Sequence, residues 1–139
     1  MKNHFLLTSE LLSLQAFSEL LHYDNCGAEA IFNGVVRHTN LAKTVEYLEF
    51  EAYYPMVLKQ LERIAGELRN HFEIRVIALH HRTGIVPAGE SAVLAGITSP
   101  HRQDAFGALS ALMNELKKTV PIWKKEVYSD GHQWLSSTP

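Results

Sequence analysis

With 139 residues, 46% of them hydrophobic and 20% charged, the chain suits one domain, residues 1–139, whose core is large enough to do without disulfides or structural metal. A net charge of −2 excludes a general nucleic-acid binder, which carries a broad basic excess, so any anion site has to be local. A single cysteine, Cys26, rules out an internal disulfide, and no apolar run nears the roughly 20 residues of a membrane span; the expectation is a cytoplasmic protein with no membrane partner.

In chain order, Thr8-Ser9-Glu10 reads as a helix start, with Leu11, Leu12, Leu14, Phe17, Leu20 and Leu21 at helical spacing to about His22. Asp24 to Gly27 is turn chemistry, and Ala28 to Arg37 reads as a strand with Ile31, Val35 and Phe32 as core candidates. Gly34 inside it points to a bulge or a close backbone approach. After the polar loop His38 to Lys43, Thr44 to Tyr53 alternates as a strand: Val45, Tyr47, Glu49 and Glu51 against Glu46, Leu48, Phe50 and Ala52. Pro55 opens a helix whose apolar stripe is Val57, Leu58, Leu61, Ile64, Ala65, Leu68 and Phe72.

Ile74 to Arg82 is a strand, Val86 to Glu90 a turn, and Ser91 to Thr98 a buried β-rich run. Ser99-Pro100 opens a helix to about Lys118, with Ala105, Leu109, Leu112 and Leu116 inward; Pro121 to Tyr128 is a last strand, and Asp130-Gly131 turns the chain toward Trp134-Leu135. From Thr44 the order is strand-helix-strand-strand-helix-strand. The expected fold is α+β, with a ferredoxin-like split βαβ core preceded by an extra helix and strand.

Three places carry chemistry. Leu116 to Glu126 holds four of the thirteen Lys and Arg residues around Pro121 and Trp123. That mixture fits either an apolar wall with ammonium groups reaching past it, ready for an anion, or a basic helix end running into an edge strand. At Ser99-Pro100-His101-Arg102, a Ser99 cap would put Pro100 first and His101 and Arg102 in the first turn, where cations oppose the helix dipole. A bound anion resolves that conflict; neutralisation of Arg102 by Asp104 is the alternative. Finally, Phe106, Ser110, Met113 and Lys117 line one helix flank, so the Lys117 stem can lie on apolar side chains with its amine partly desolvated beside Lys124. Taken alone, a lysine there more commonly serves the helix C-terminus. Arg37, at a strand end beside a polar loop, either reaches a site or faces water.

Other features point to no chemistry. His80 and His81 are adjacent on a strand and project to opposite faces, and the eight histidines form no metal-ligand spacing. Cys26 has no identifiable base, and there is no glycine-rich phosphate loop. Trp123 and Trp134 read as core or interface anchors.

Five segments together carry a resemblance: Phe32-Asn33-Gly34-Val35-Val36-Arg37, Leu48 to Tyr53, His81-Arg82-Thr83-Gly84, Ser99-Pro100-His101-Arg102, and Lys117 through Glu126. In order and spacing the chain resembles the large, catalytic subunit of molybdopterin synthase over about residues 26 to 135. The resemblance implies a homodimer that binds two small ubiquitin-like sulfur-carrier subunits, forming a heterotetramer. It implies sulfur transfer from the carrier's C-terminal glycine thiocarboxylate to cyclic pyranopterin monophosphate, twice, to give a dithiolene, with no cofactor or metal. It also implies Lys117 and Lys124 as catalytic lysines. Arg37, His101 and Arg102 would be an anion clamp, and Val35, Val36, Lys125 and Glu126 would line the substrate pocket. Ala42 stands where family members often have Gly, and the chain stops soon after Trp134-Leu135, where many relatives continue. The alternative is a non-enzymatic dimeric ferredoxin-like domain that senses a phosphorylated metabolite with Arg37, His101 and Arg102, leaving the two lysines no chemical duty.

Overall fold

The computed structural model describes residues 1–135, with side chains described as far as 132. Its elements are β1 (Lys2–Thr8), α1 (Leu14–Leu20), β2 (Ala28–Val35), β3 (Thr39–Asn40), β4 (Lys43–Ala52), α2 (Tyr54–Arg69), β5 (Val76–Arg82), β6 (Gly84–Pro87), β7 (Ser91–Ser99), α3 (Arg102–Thr119), β8 (Ile122–Tyr128) and β9 (Gly131–Leu135). The class is α+β, and the expected order strand-helix-strand-strand-helix-strand runs through β4, α2, β5, β7, α3 and β8, with the short strand β6 added between β5 and β7 where Val86 was read as opening a turn. Those strands are shared between two sheets. One has the order β1-β5-β7-β2; the other runs β3-β4-β8-β9, with β6 also paired to β4.

Each helix covers a sheet because its apolar residues recur on one face. α3 buries Ala105, Ala108, Leu109, Leu112 and Leu116, and α2 buries Val57, Leu61, Ile64, Ala65 and Leu68. Both stripes match the sequence reading except at Leu58, which is exposed, and Phe72, which lies past the end of α2 and is partly buried against the core. These residues join Ile77, Leu79, Val93, Ala95 and Ile97 of the first sheet and Leu48 and Phe50 of the second in one core. A bulge between Val45 and Tyr47 shifts the parity of β4, so Val45 turns inward with Leu48 instead of outward with Tyr47.

The N-terminal region departs from expectation. Thr8 ends β1, which pairs in parallel with β5 from Lys2↔Val76 to Thr8↔Arg82. The helix begins later, where Ser13 Oγ accepts the Ala16 N–H at 3.1 Å. Its Phe17 and Leu21 pack with Val76, Ala78 and Leu94 on the outer face of the first sheet. A Cβ on Gly96 would lie 2.8 Å from both Leu21 methyls, so α1 seats directly on backbone there. Ile31 and Val35, expected in the core, are 36% and 43% exposed, because alternation along β2 gives the buried side to Ala30 and Gly34. The expected side-chain anchor Trp134 lies outside the described side chains, and Trp123 is on the surface.

Between β3 and β4 the chain turns through Leu41 and Ala42 at φ 50° and 66°, with Asn40 paired to Lys43. A two-residue hairpin of this kind demands left-handed backbone at both central positions, where Leu and Ala carry a Cβ penalty. Ala42→Gly is expected to stabilise the protein by about 1 kcal/mol, read as a shift of the urea midpoint at unchanged m-value.

Candidate active site

The functional residues meet where the end of β2, the β3–β4 hairpin, β8 and the flank of α3 converge. β2 ends in a register shift between Gly34 and Val35. Gly34 is required there, because its Cβ would meet Val93 Cγ1 at 2.6 Å. Beyond the bulge, the Val36 N–H donates to the Glu90 carbonyl at 2.9 Å and the Gly89 N–H to the Val36 carbonyl at 2.8 Å. Val36 packs into the main core, and Arg37 is left exposed at the rim. Strand alternation on β8 turns Ile122, Lys124, Glu126 and Tyr128 inward, and Trp123 and Lys125 outward.

The result is a cavity of about 340 Å³ whose lining includes Val35, Val36, Arg37, Asn40, Lys124 and Glu126. A second cavity of about 370 Å³ lies on the other side of Phe32, which both share; Phe106, Met113 and Lys117 of α3 line it. The flank predicted from the spacing of Phe106, Ser110, Met113 and Lys117 is thus a real groove with an ammonium group at one end.

Electrostatically, the half-buried residue is Lys124. Burial pushes its amine below the ordinary lysine value; Glu126 opposes that shift, and the positive charges of Lys117 and Arg37 add to it. Of the two readings open for Lys117, a partly desolvated amine or a lysine serving the helix C-terminus, the structure favours the second, leaving it exposed on the last turn of α3. Glu126 is only 4% exposed, and its Oε1 accepts Asn40 Nδ2 and the Tyr128 hydroxyl, each at 2.7 Å. Under Lys124, buried His81 puts its edge to the Phe50 ring at 4.9 Å between centroids, and Phe50 is the cross-strand partner of Lys124. His80 packs on Phe17 on the opposite face, as alternation predicts.

Two expected groups are elsewhere. Lys125 sits on the outer face of β8 and pairs with Glu49 Oε2 at 2.9 Å, away from the cavity that Lys124 and Glu126 line. Ser99 is the last residue of β7 and not the helix cap. His101 occupies the N-cap without a side-chain capping bond, and Arg102 is the first helical residue. The Ser99 hydroxyl accepts the His101 N–H at 3.4 Å, and Asp104 Oδ2 accepts the Glu73 N–H at 2.7 Å. Arg102 and Lys117 stand at opposite ends of α3, about 22 Å apart along its axis. One chain therefore gathers Arg37, Lys117 and Lys124, and leaves His101 and Arg102 remote.

Sequence reading missed Asn40, Tyr128 and His81. Tyr128 was recoverable, being two residues from Glu126 on one strand and so on the same face. Asn40 and His81 reach the site through tertiary contacts that leave no local pattern. Burial pushes the Cys26 thiol upward, which disfavours its thiolate. Among the described residues, no group of three or more His, Cys, Asp or Glu could hold a metal ion, and no helix is long and apolar enough to cross a membrane.

The family profile described as MoaE protein matches residues 7–119. The chain belongs to the MoaE family. Relatives of this MoaE-family chain include molybdopterin synthase catalytic subunit 1 of Aedes aegypti, 42% identical over 93% of this chain and 84% of the relative. The molybdopterin synthase catalytic subunit of Taeniopygia guttata is 40% identical over 96% and 86%. The crystal structure of molybdopterin synthase from Staphylococcus aureus superposes with a TM-score of 0.89 at 35% identity, covering 94% of this chain and 96% of that one. In this MoaE-family chain the first cavity lies between the end of β2 and the second sheet, and the other along the flank of α3.

Proposed function

We propose that this chain is the catalytic, sulfur-transferring subunit of a molybdopterin synthase. The observation that carries the reading is the convergence of Arg37, Lys117 and Lys124, from three separated parts of the chain, on two adjoining cavities in a protein of net charge −2. Cyclic pyranopterin monophosphate fits the first cavity, where Arg37 and Lys124 meet its phosphate. The C-terminal tail of a small sulfur-carrier subunit fits the apolar groove over Phe32, Phe106 and Met113, with its thiocarboxylate brought to Lys117. Lys124, with its lowered pKa, exchanges protons at a pH where an ordinary lysine stays charged, and Lys117 steadies the acyl end as sulfur departs. The sensor alternative gives the lysines no duty, and the relatives are named catalytic subunits.

His101 and Arg102 enter this reading through a second copy. A twofold dimer that brings the start of one α3 to the cavity of its mate completes the anion clamp. Mixing Arg102→Ala chains with Lys117→Ala chains then gives hybrids with one intact site, and about a quarter of wild-type activity should return after random exchange. Recovery no better than either variant alone would mean that each chain works by itself. The primary test is production of molybdopterin from cyclic pyranopterin monophosphate and a thiocarboxylated cognate carrier in the cytoplasmic extract or with purified components. No product with an authentic carrier overturns the assignment.

A further inference from the structure

The buried carboxylate of Glu126 is held in an unusual way. Two neutral donors, Asn40 Nδ2 and the Tyr128 hydroxyl, both end on Oε1 at 2.7 Å, and Oε2 has no hydrogen-bond or ion-pair partner among the described residues. Neutral donors orient a carboxylate without cancelling its charge. The cavity is therefore polarised, with Arg37 and Lys124 as its cationic part and a fixed anionic oxygen at Glu126. A phosphate is repelled from that oxygen, and a group with N–H donors is drawn to it.

The support around Asn40 and Tyr128 is itself specialised. Asn40 immediately precedes the left-handed pair Leu41 and Ala42, and Lys43 on the far side of that turn lies over the Tyr128 ring, 4.9 Å from its centroid. Both arms of the strained hairpin thus bear on the same carboxylate assembly, and strain of this sort persists where surrounding contacts over-determine it. The hydrogen bond to Glu126 also raises the Tyr128 pKa, so its hydroxyl stays a donor.

We propose that Asn40 and Tyr128 are positioning residues that aim Glu126 Oε2 at the N–H donor edge of an aminopyrimidinone ring bound in the cavity. This rests on the pterin substrate assigned above and adds how its ring is oriented: the amino and amide N–H groups face Glu126, and the phosphate faces Arg37 and Lys124. The alternative duty for Glu126, a counter-charge for Lys124 alone, makes no demand on which oxygen is free.

Equilibrium binding to the full chain separates the two, with cyclic pyranopterin monophosphate and inorganic phosphate as probes. Asn40→Ala and Tyr128→Phe should each weaken substrate binding about 3- to 10-fold and leave phosphate binding unchanged. Asn40→Asp, which sets a second carboxylate against Glu126, should be weaker than Asn40→Ala. In turnover the loss should fall on KM, with kcat within about twofold. Unchanged substrate affinity, equal loss for both probes, or a loss confined to kcat each overturns the proposal. If the unaltered chain fails to bind the pterin at all, the functional assignment fails first and this one with it. Asn40 sits on a surface hairpin, so its two variants decide the matter even if Tyr128→Phe melts early.

Discussion

Lys117→Ala should lower the rate of sulfur transfer by about 10²- to 10⁴-fold while leaving the fold intact. Lys117 is exposed on the last turn of α3, where a truncation changes stability by about 0.5 kcal/mol or less. Lys117→Arg sharpens the result, because it keeps the positive charge but gives up the proton exchange and the point-like geometry of an amine. If Lys117 only attracts the carrier tail, the arginine variant should work nearly as well as wild type. If its amine takes part in the chemistry, both variants should be slow under single-turnover conditions with bound carrier. Lys124→Ala should be slow as well, for a different reason. Lys124 is the lysine that burial drives toward neutrality, with the charges of Lys117 and Arg37 assisting. Turnover by Lys117→Ala within threefold of wild type would remove that residue from the mechanism.

The second large effect is on stability in acid, and it comes from His81. Its Nδ1 lies 2.7 Å from the Arg82 carbonyl, which fixes the neutral ring with Nδ1–H as donor; Nε2 is buried without a partner. Burial pushes its pKa from 6.5 to about 4; the backbone hydrogen bond opposes the shift, and the nearby Lys124 charge adds to it. Because the folded pKa lies below the unfolded one, the unfolded chain binds more protons between those values. Stability is then constant above about pH 6.5 and declines as pH falls toward 4, by about 3 kcal/mol in all. His80, also pushed down by burial and by His4, acts in the same direction. Urea unfolding at pH 7, 6, 5 and 4.5 measures the slope, and His81→Phe should flatten it. An equally steep slope in that variant would assign the acid sensitivity to other groups.

The candidate site was partly legible because several of its parts are local. The Phe32 to Arg37 and Lys117 to Glu126 segments keep their order whatever the topology, and both line the cavities. Alternation on β8 was available to reading, and it would have separated Lys125 from Lys124 and Glu126 once the strand was placed. The inward faces of α2 and α3 followed from the spacing of apolar side chains, since a helix shows its buried stripe in its own sequence.

Other assignments needed the neighbours. Lys2 to Thr8 lacks the polar–apolar alternation that marks a strand, and it becomes one by pairing with residues more than seventy positions away. Ile31 and Val35 have the character of core residues but stand exposed, because the pairing of β2 with β7 turns Ala30 and Gly34 to the buried side instead. Local periodicity thus settled most of the longer helices and strands, with the residue types present and their order. It could not tell which lysine would be desolvated, which carboxylate oxygen would be left open, or that His101 and Arg102 would lie a helix length from Lys117. Burial and charge coupling depend on groups brought close in space from distant parts of the chain, and only the folded packing sets those distances.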